Sequence, residues 1–383
     1  MNSMDKGTYF PPEIKNDLAG VVELKPEQKQ EILASAWEYA RCVTPHFTNW
    51  NRYIAYVRLL VTCVVAEFRG DLIKIEDTDE IMGYNVGKLL EFLFGQTPDR
   101  ERWEREFRAY LLITAEKTSD RRGGELFRRY VNALAYSPAG WYQMRGCDAL
   151  VGFTIAASFA CNDMGGPWLG EGQVDVLVEI AVLLYDSVAF YKHRAEGEVH
   201  NTFAYLPPTF RVDAHREARD ILWGLDAAYA NDKKMLCAVN FIRWFGGPLH
   251  MVMRRYRFVE ENLSIGTPEN QAVLNDTKED VKLWKHLVVR QASAQDMERY
   301  ESIVQRKELM YEGLPQLLEE GNKLPCKDCV FKPSYGVQNS YEFGGVKLCT
   351  HCQGKAAEHL HTLRTRAIAA FPLLQELFKQ KAV

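Results

Sequence analysis

Residues 185–201 read YDSVAFYKHRAEGEVHN. The first twelve of them, 185–196, are the C-terminal half of a longer stretch, residues 174–196, in which apolar side chains recur at helical spacing. That spacing predicts one long helix. Its C-terminal half also carries acids and bases, and a short polar segment beginning at Gly197 follows. The side chains in this stretch that could hold a metal, an anion or a proton are Asp186, Lys192, His193, Arg194, Glu196 and Glu198.

The same helical spacing fills most of residues 27–320, with short breaks marked by Gly and Pro. No strand–turn–strand pattern precedes residue 325. The sequence therefore predicts an all-α domain over residues 27–320. Residues 1–26, with three prolines and little periodicity, are predicted to form an extended arm, and residues 321–383 a separate C-terminal module.

Composition limits the class of protein. The chain has 383 residues and 47% hydrophobic content, enough for a large core. Its net charge of −4 gives no reason to expect a nucleic-acid partner. The N-terminus lacks the features of a secretory signal, and no apolar run is long enough to cross a bilayer, so we predict a cytoplasmic protein without stable membrane insertion. The oligomeric state is not specified by the sequence.

Two cysteine pairs define the C-terminal module. Cys326 and Cys329 form one CxxC, and Cys349 and Cys352 form another. Four thiolates at this spacing suit a tetrahedral zinc ion, and a site closed by four protein ligands is structural. Gly344 and Gly345 suit a hairpin turn between the pairs. The alternatives are four unrelated buried cysteines or a redox CxxC, and no βαβ pattern supports the latter.

Acidic residues in the helical part suggest a second metal. Glu67 and Asp71 stand at i and i+4 after a very apolar segment, a spacing that places two carboxylates on one helix face. Magnesium prefers such oxygen ligands and needs only one or two of them. The alternative is an exposed acid pair. Glu116, in a charged cluster, either adds a carboxylate to this site, with Arg121 or Arg128 meeting phosphate, or lies at an exposed corner.

The opening stretch resembles the second metal-binding motif of class I terpene cyclases, NDxxSxxKE followed by G[DE]xHN. Asp186, Lys192 and the GExHN segment are in register, whereas Tyr185, Ala189 and His193 replace three ligand positions. Arg255 and Tyr256 stand where those cyclases carry an Arg-Tyr pair that grips diphosphate. The resemblance implies that Asp186 contacts magnesium and that Lys192, Arg194, Arg255 and Tyr256 contact diphosphate.

Nearly the whole chain resembles the fungal alpha-ionylideneethane synthase family, sesquiterpene cyclases that begin abscisic acid biosynthesis. The resemblance runs through AEFRGDL, LLITAEKTSDRRGGELFRRYVNALA and the double CxxC with EFGGVKLC. It implies a class I terpene synthase-like helical bundle around an apolar cavity, acting on farnesyl diphosphate with Mg²⁺. As in that family, DDxxD is absent, so Glu67 is the first choice and Glu31 the second for the essential carboxylate.

The implied reaction has three stages: loss of diphosphate, loss of a proton, and reprotonation with ring closure. Glu196, Glu198 or His193 would serve as the base. Residues 164–167 (MGGP) depart from the more acidic turn expected of the family, which bears on the product. The alternative hypothesis is a catalytically inactive helical protein whose zinc module binds a partner, and the lost motif positions support it.

Overall fold

The structure is a computed structural model that describes residues 9–95, 97, 99–133, 137–196, 201–204, 206–252, 294–323, 326–331 and 346–380. The prediction of an all-α protein is confirmed. The helices are α1 (Pro26–Val43), α2 (Trp50–Ala66), α3 (Val86–Phe94), α4 (Arg100–Lys117), α5 (Glu125–Ala133), α6 (Pro138–Asp148), α7 (Val151–Cys161), α8 (Glu171–Glu196), α9 (Pro208–Ala228), α10 (Lys233–Phe245), α11 (Leu249–Val252), α12 (Ala294–Val304), α13 (Leu314–Lys323), α14 (Thr350–His361), α15 (Leu363–Ala370) and α16 (Leu374–Gln380).

Helices α2 and α7 form the centre of the core. Every residue of α7 is buried, and so are the residues Tyr53–Ala66 of α2 apart from the half-buried Arg58, because both segments are apolar on nearly all sides. Each helix has a local reason to begin or end where it does. The side chain of Asn49 accepts a hydrogen bond from the backbone of Arg52 and caps α2. Asp163, which follows α7 with φ 52°, pairs with Arg52 at 2.8 Å.

The helical spacing of residues 146–161 predicts one helix, whereas the structure has two. The chain breaks between α6 and α7 at Leu150, whose φ of 52° is left-handed. A leucine has no side-chain oxygen to cap the new helix. The cap comes from another part of the chain, since Glu106 of α4 accepts a hydrogen bond from the backbone of Phe153 at 3.0 Å. No sequence pattern near Leu150 announces a carboxylate that lies 44 residues away in the chain.

Glu106 should make stability depend on pH. Burial raises its pKa from 4.5 to about 7, against the opposing effects of Arg102 and the Phe153 N–H. The folded protein therefore holds a proton that the unfolded chain has released between pH 4.5 and 7. The contribution of Glu106 to stability should be greatest below pH 4.5 and should be lost between pH 4.5 and 7, a change on the order of 3 kcal/mol. Thermal melts of Glu106→Gln should lose this component, whereas an unchanged pH profile would contradict the assignment.

The N-terminal segment differs from the predicted extended arm. Residues 9–25 form a 3₁₀ turn, Pro12–Ile14, and further turns before α1 begins. Ile14 and Leu18 are fully buried against the helices, and Asp17 pairs with Arg58 of α2 at 2.8 Å. Prolines stop regular structure but do not keep a segment away from the core, and the apolar residues between them decide where it packs.

Two short hairpins accompany the helices. β1 (Glu80–Ile81) pairs antiparallel with β2 (Tyr84–Asn85), contrary to the prediction of no hairpin before residue 325. Met82 and Gly83 form the turn with φ of 50° and 85°, as type I′ geometry requires. Strands of two residues are too short to show alternation. In the C-terminal module, β3 (Val330–Phe331) pairs antiparallel with β4 (Val346–Lys347).

The helical spacing of residues 355–379 predicts one closing amphipathic helix. The structure instead has three C-terminal helices, α14, α15 and α16, which pack against the main bundle. Arg366 of α15 makes a bidentate ion pair with the buried Glu179 of α8, at 2.6 and 2.8 Å. Arg364 pairs with Glu217 of α9 at 2.6 Å. The ring of His359 stacks on Tyr142 of α6 at 5.6 Å. The module therefore contacts three helices of the domain, α6, α8 and α9.

Among the described residues, no individual helix has the length and apolar character needed to cross a membrane. The pair α6 and α7 would meet that test together, but the two helices meet at an angle of 52°. Most of their side chains lie inside the protein core.

Candidate functional site

The C-terminal ends of α2 and α4 meet at a close contact. The hydroxyl of Thr118 donates to the carbonyl of Ala66. A Cβ on Gly70 would lie 2.3 Å from the carbonyl oxygen of Ala115, so only glycine fits there. This approach brings the acidic segment after α2 next to the charged segment after α4. We refer to this place, around Glu67 and Glu116, as the carboxylate corner.

Glu67 and Asp71 do not share a helix face. Helix α2 ends at Ala66, and Asp71 belongs to a separate 3₁₀ turn, Gly70–Leu72. The i, i+4 spacing therefore did not predict their arrangement correctly, because the close contact at Gly70 ends the helix early. Glu67 is partly buried and accepts a hydrogen bond from the Tyr110 hydroxyl at 3.2 Å. Asp71 is 44% exposed and pairs with Arg69 at 2.8 Å.

Glu116 is fully buried, which rules out the exposed-corner interpretation. Its Oε1 pairs with Arg299 at 2.8 Å and with Arg121 at 3.4 Å. Both arginines also pair with Glu76, at 2.7 and 2.9 Å. Arg121 thus belongs to a ring of four charges instead of standing open to phosphate. Burial raises the pKa of Glu116 despite the lowering effect of the two arginines.

Asp186 lies in the middle of α8 and is completely buried. Its Oδ1 accepts from Arg145 at 2.7 Å, and its Oδ2 accepts from the backbone and the hydroxyl of Thr202 at 2.7 and 2.8 Å. Both carboxylate oxygens are therefore used inside the protein. The structure gives Asp186 the contacts of a residue that joins α6, α8 and the turn Thr202–Ala204, rather than those of an open metal ligand.

The ion pair at Asp186 continues into a buried chain of charges. Arg145 also contacts Asp148 at 2.6 Å, and Asp148 contacts Lys117 of α4 at 3.2 Å. The chain contains two cations and two anions, all less than 9% exposed at the side chain. Sequence reasoning missed Arg145, Asp148 and Lys117. The available signal was the pair of opposite charges at i and i+3 within an otherwise apolar stretch.

Asn201, at the end of the opening motif, holds His193. Its amide oxygen accepts from the backbone of Phe203 at 3.0 Å, which fixes the orientation of the amide. Its nitrogen then donates to the carbonyl of Asp186 at 2.9 Å and to Nδ1 of His193 at 3.0 Å. Nδ1 is therefore an acceptor, and the proton of the neutral imidazole is assigned to Nε2.

Tyr185 stands where the cyclase motif has a metal ligand, and it packs within an aromatic group. Its ring stacks on Phe245 at 4.5 Å and 14°, and lies 4.6 Å from the ring of His250. The guanidinium of Arg145 lies 5.6 Å from the Tyr185 ring. Where the cyclase motif has an oxygen donor for metal, this chain therefore has a buried aromatic ring.

For the remaining predicted site residues the structure describes few contacts or none. Glu31 is partly buried on α1. Lys192, Arg194 and Glu196 lie on the last turns of α8, outside the side chains that the structure describes. Glu198, Arg255 and Tyr256 lie outside the described residues. The roles of these residues stay predictions.

The carboxylate corner has a donor suited to magnesium. Glu116 Oε2 is buried and accepts no hydrogen bond from any described residue. A buried carboxylate oxygen without a partner is costly, and a hard cation is one group that satisfies it. No cluster of three carboxylate or histidine ligands is preformed within the described ranges. The residues therefore fit an ion that takes one or two carboxylates and completes its shell with water or phosphate oxygens.

A surface groove of about 380 Å³ lies away from these residues, between α1 and α10. Trp37, Arg41 and Trp244 are among the residues lining it. It contains none of the predicted catalytic or metal-binding residues, so it is not the predicted apolar cavity. That cavity stays a prediction.

The four cysteines of the C-terminal module converge. All four sulfurs lie within 4.8 Å of one another, and those of Cys326 and Cys349 are 3.9 Å apart. Four sulfurs at 2.3 Å from a central zinc ion would stand roughly 3.8 Å apart. The backbone N–H of Cys349 also donates to the sulfur of Cys329 at 3.3 Å. The donor set and its spacing fit a structural zinc ion.

Zinc removal should loosen the C-terminal helices. The pairing of β3 with β4 and the start of α14 lie directly beside the cysteines, so four thiolates without a cation would repel each other there. We expect one zinc per chain by metal analysis, and faster amide exchange over residues 346–380 after chelation. Cys349→Ser should lose the metal. Cys237→Ser, an equally half-buried cysteine outside the module, should retain it. Metal-free purified protein with a fully protected module would contradict the assignment.

Comparison with known proteins gives a consistent family. Residues 5–373 match the family model for "Alpha-ionylideneethane synthase aba3". The chain is 48% identical to the alpha-ionylideneethane synthase aba3 of Botryotinia fuckeliana, over 97% of this chain and 84% of that protein. It is 49% identical to abl3 of Leptosphaeria maculans, over 96% of this chain and 86% of that protein. It is 42% identical to abl3 of Pyricularia oryzae, over 95% of this chain and 82% of that protein. The chain therefore belongs to the alpha-ionylideneethane synthase family.

Proposed function

We propose that this protein is a magnesium-dependent sesquiterpene cyclase of abscisic acid biosynthesis. Its substrate is farnesyl diphosphate, and its product is an ionylideneethane-type or related farnesene-derived hydrocarbon. The enzyme is a terpene synthase, a carbon–oxygen lyase that acts on a diphosphate. The names of its relatives support a synthase. The observation that supports glutamate-held magnesium is the buried carboxylate of Glu116, near the end of α4 that packs against the end of α2 where Glu67 lies.

Glu67 and Glu116 are the proposed magnesium carboxylates. Bound there, magnesium would supply the positive charge that stabilises the departing diphosphate. Two observations favour these residues over Asp71 and Asp186. Asp71 is exposed and paired with Arg69, and both oxygens of Asp186 are hydrogen-bonded inside the protein. The carboxylate corner keeps one carboxylate partly accessible and one carboxylate oxygen without a hydrogen bond.

Diphosphate recognition is assigned to basic residues named by the family resemblance. Lys192 and Arg194 stand at the end of α8, and Arg255 and Tyr256 follow α11 in the chain. Arginine matches phosphate oxygens with its fork of donors, so Arg255 is the residue for which we expect the largest loss of substrate affinity on substitution.

We assign proton transfer to a glutamate in preference to His193. Nδ1 of His193 accepts from Asn201, so protonating that nitrogen would break the hydrogen bond and place an N–H against an N–H. The hydrogen bond from Asn201 therefore occupies the nitrogen at which a neutral His193 would take up the proton. We therefore place the base at Glu196 or Glu198. Asp186 and Asn201 act as positioning residues, since Asp186 holds α8 against Arg145 and Asn201 donates to His193.

The test is incubation of purified protein with farnesyl diphosphate, with and without Mg²⁺, followed by hydrocarbon analysis. We expect a cyclic sesquiterpene hydrocarbon only in the presence of the metal. Circular dichroism of the same sample establishes that the helices are intact. Folded protein that yields no magnesium-dependent hydrocarbon would remove the enzyme proposal and leave the alternative of a helical zinc-containing interaction protein.

A further inference from the structure

Three buried hydroxyl groups lie where α1, α2 and α7 meet. Tyr56 belongs to α2, Thr154 belongs to α7, and Thr44 is the residue that ends α1. Each of the three residues is at most 2% exposed. None of the three hydroxyls has a hydrogen-bond partner within the described ranges. Because a buried hydroxyl without a partner is costly, a further polar group is expected there.

Contacts around Tyr56 place the three hydroxyls close together. The rings of Tyr56 and Phe153, the neighbour of Thr154 on α7, are 6.4 Å apart. The ring of Tyr53 lies 6.1 Å from that of Tyr56, and the Tyr53 hydroxyl donates to the carbonyl of Thr44 at 3.1 Å. Burial raises the pKa of the Tyr56 phenol well above its usual value, and the nearby hydroxyls of Thr44 and Thr154 oppose that rise. The three hydroxyls are therefore neighbours that are not bonded directly to one another.

The Thr154 hydroxyl does not bond to its own helix. A serine or threonine in a helix can donate to the carbonyl three or four residues earlier. On α2, the hydroxyl of Thr62 donates in this way to Leu59 at 2.7 Å. On α7, the hydroxyl of Ser158 donates to Ile155, also at 2.7 Å. Thr154 makes no such bond with any described residue, so its hydroxyl is available to a group between the helices.

We propose that the hydroxyls of Tyr56, Thr44 and Thr154 bind one water molecule, which joins α2 to α1 and α7 and stabilises their packing. A hydroxyl both donates and accepts, so a single water can satisfy all three groups. Buried waters typically make about three hydrogen bonds to polar groups that have no other partner. Two threonines and a tyrosine are neutral, so the site suits water rather than an ion.

The water site is separate from the proposed metal site. Tyr56 and Glu67 are 11 residues apart along α2 and its cap, a distance of roughly 16 Å at the helical rise per residue. The water therefore stabilises the end of the bundle opposite the carboxylate corner and takes no part in the loss of diphosphate. Its binding does not require turnover, so this proposal and the proposed function can fail independently.

A high-resolution crystal structure and thermal melts of threonine variants test the site. In the crystal we expect one electron-density peak about 2.7–3.0 Å from each of the three hydroxyl oxygens. Thr154→Val removes one hydroxyl with little change of shape. If a water is bound, this variant should melt at a lower temperature than the wild type, because the water loses a partner. If the hydroxyl has no partner, the same variant should melt at a higher temperature, because a buried unsatisfied group has been removed.

Combined variants add a matched control. Thr44→Val together with Thr154→Val should lower the melting temperature by less than the sum of the two single shifts, because both threonines share one water. Thr62→Val, whose hydroxyl bonds within its own helix, should combine additively with Thr154→Val. A peak bonded to the three hydroxyls, with a lower melting temperature in Thr154→Val, supports the proposal. A direct bond between Tyr56 and a threonine with no peak, or a raised melting temperature, overturns it. Should a variant not fold, the wild-type crystal decides.

Discussion

Glu67→Gln should abolish turnover while leaving the fold intact. The substitution removes the charge that we assign to magnesium, yet the glutamine carbonyl can still accept the hydrogen bond from Tyr110. We expect hydrocarbon formation to fall at least about 100-fold, equivalent to ~2.7 kcal/mol in the activation barrier. The midpoint of thermal unfolding should change little, since the residue caps α2 at a partly exposed position. The measurements are product quantification at saturating Mg²⁺ and a circular dichroism melt.

A matched control separates this effect from a general loss of negative charge. Glu91 is an exposed acid on α3 whose contact is with Arg100 at 3.5 Å. Glu91→Gln should retain wild-type turnover. Turnover by Glu67→Gln at close to the wild-type rate would move the metal away from the carboxylate corner. Partial rescue by raised Mg²⁺ would instead point to weakened metal binding, as the proposal expects.

Asp186→Ala should destabilise the protein severely. Arg145 would then keep Asp148 as a partner but lose its contact with Asp186, in a place where its side chain is only 5% exposed. Thr202 would lose the acceptor for both its backbone and its hydroxyl. Removing one partner of a buried ion pair typically costs about 3–5 kcal/mol, a large share of the ~5–15 kcal/mol by which proteins are stable. Urea unfolding followed by circular dichroism measures the loss.

The control for Asp186→Ala is the loss of an ion pair that is exposed to solvent at the protein surface. Asp213 and Arg216 are 74% and 62% exposed at 3.4 Å, so Asp213→Ala should change stability by no more than about 1 kcal/mol. A double-mutant cycle with Arg145→Met adds a sharper test. If the pair acts as a unit, the double variant should be less destabilised than the sum of the two singles. Additive losses would show that Asp186 stabilises the fold mainly through Thr202.

The sequence predicted local structure well where the chain alone controls it. The helical repeat predicts helices over residues 52–68, 86–94, 103–117 and 174–196, close to α2, α3, α4 and α8. The double CxxC identified four residues whose sulfurs do converge. The predictions failed where a contact from elsewhere intervened. Gly70 meets Ala115 and ends α2 before Asp71, and Glu106 caps α7 where Leu150 offers no cap. Neither contact leaves a trace in neighbouring residues.

The motif at residues 185–201 also combines a correct prediction of local structure with contacts that the sequence did not predict. Its apolar spacing predicted the helix, but its resemblance to the cyclase motif suggested that Asp186 faces a metal. In the folded chain Asp186 faces Arg145 and Thr202, and Asn201 holds His193. The sequence by itself determined the helices, the cysteine quartet and the family, since these follow from periodicity, spacing and similarity along the chain. Only the tertiary structure decided which carboxylates are neutralised by arginine and which oxygens remain without a partner, because those electrostatic balances arise between side chains that are far apart in the sequence.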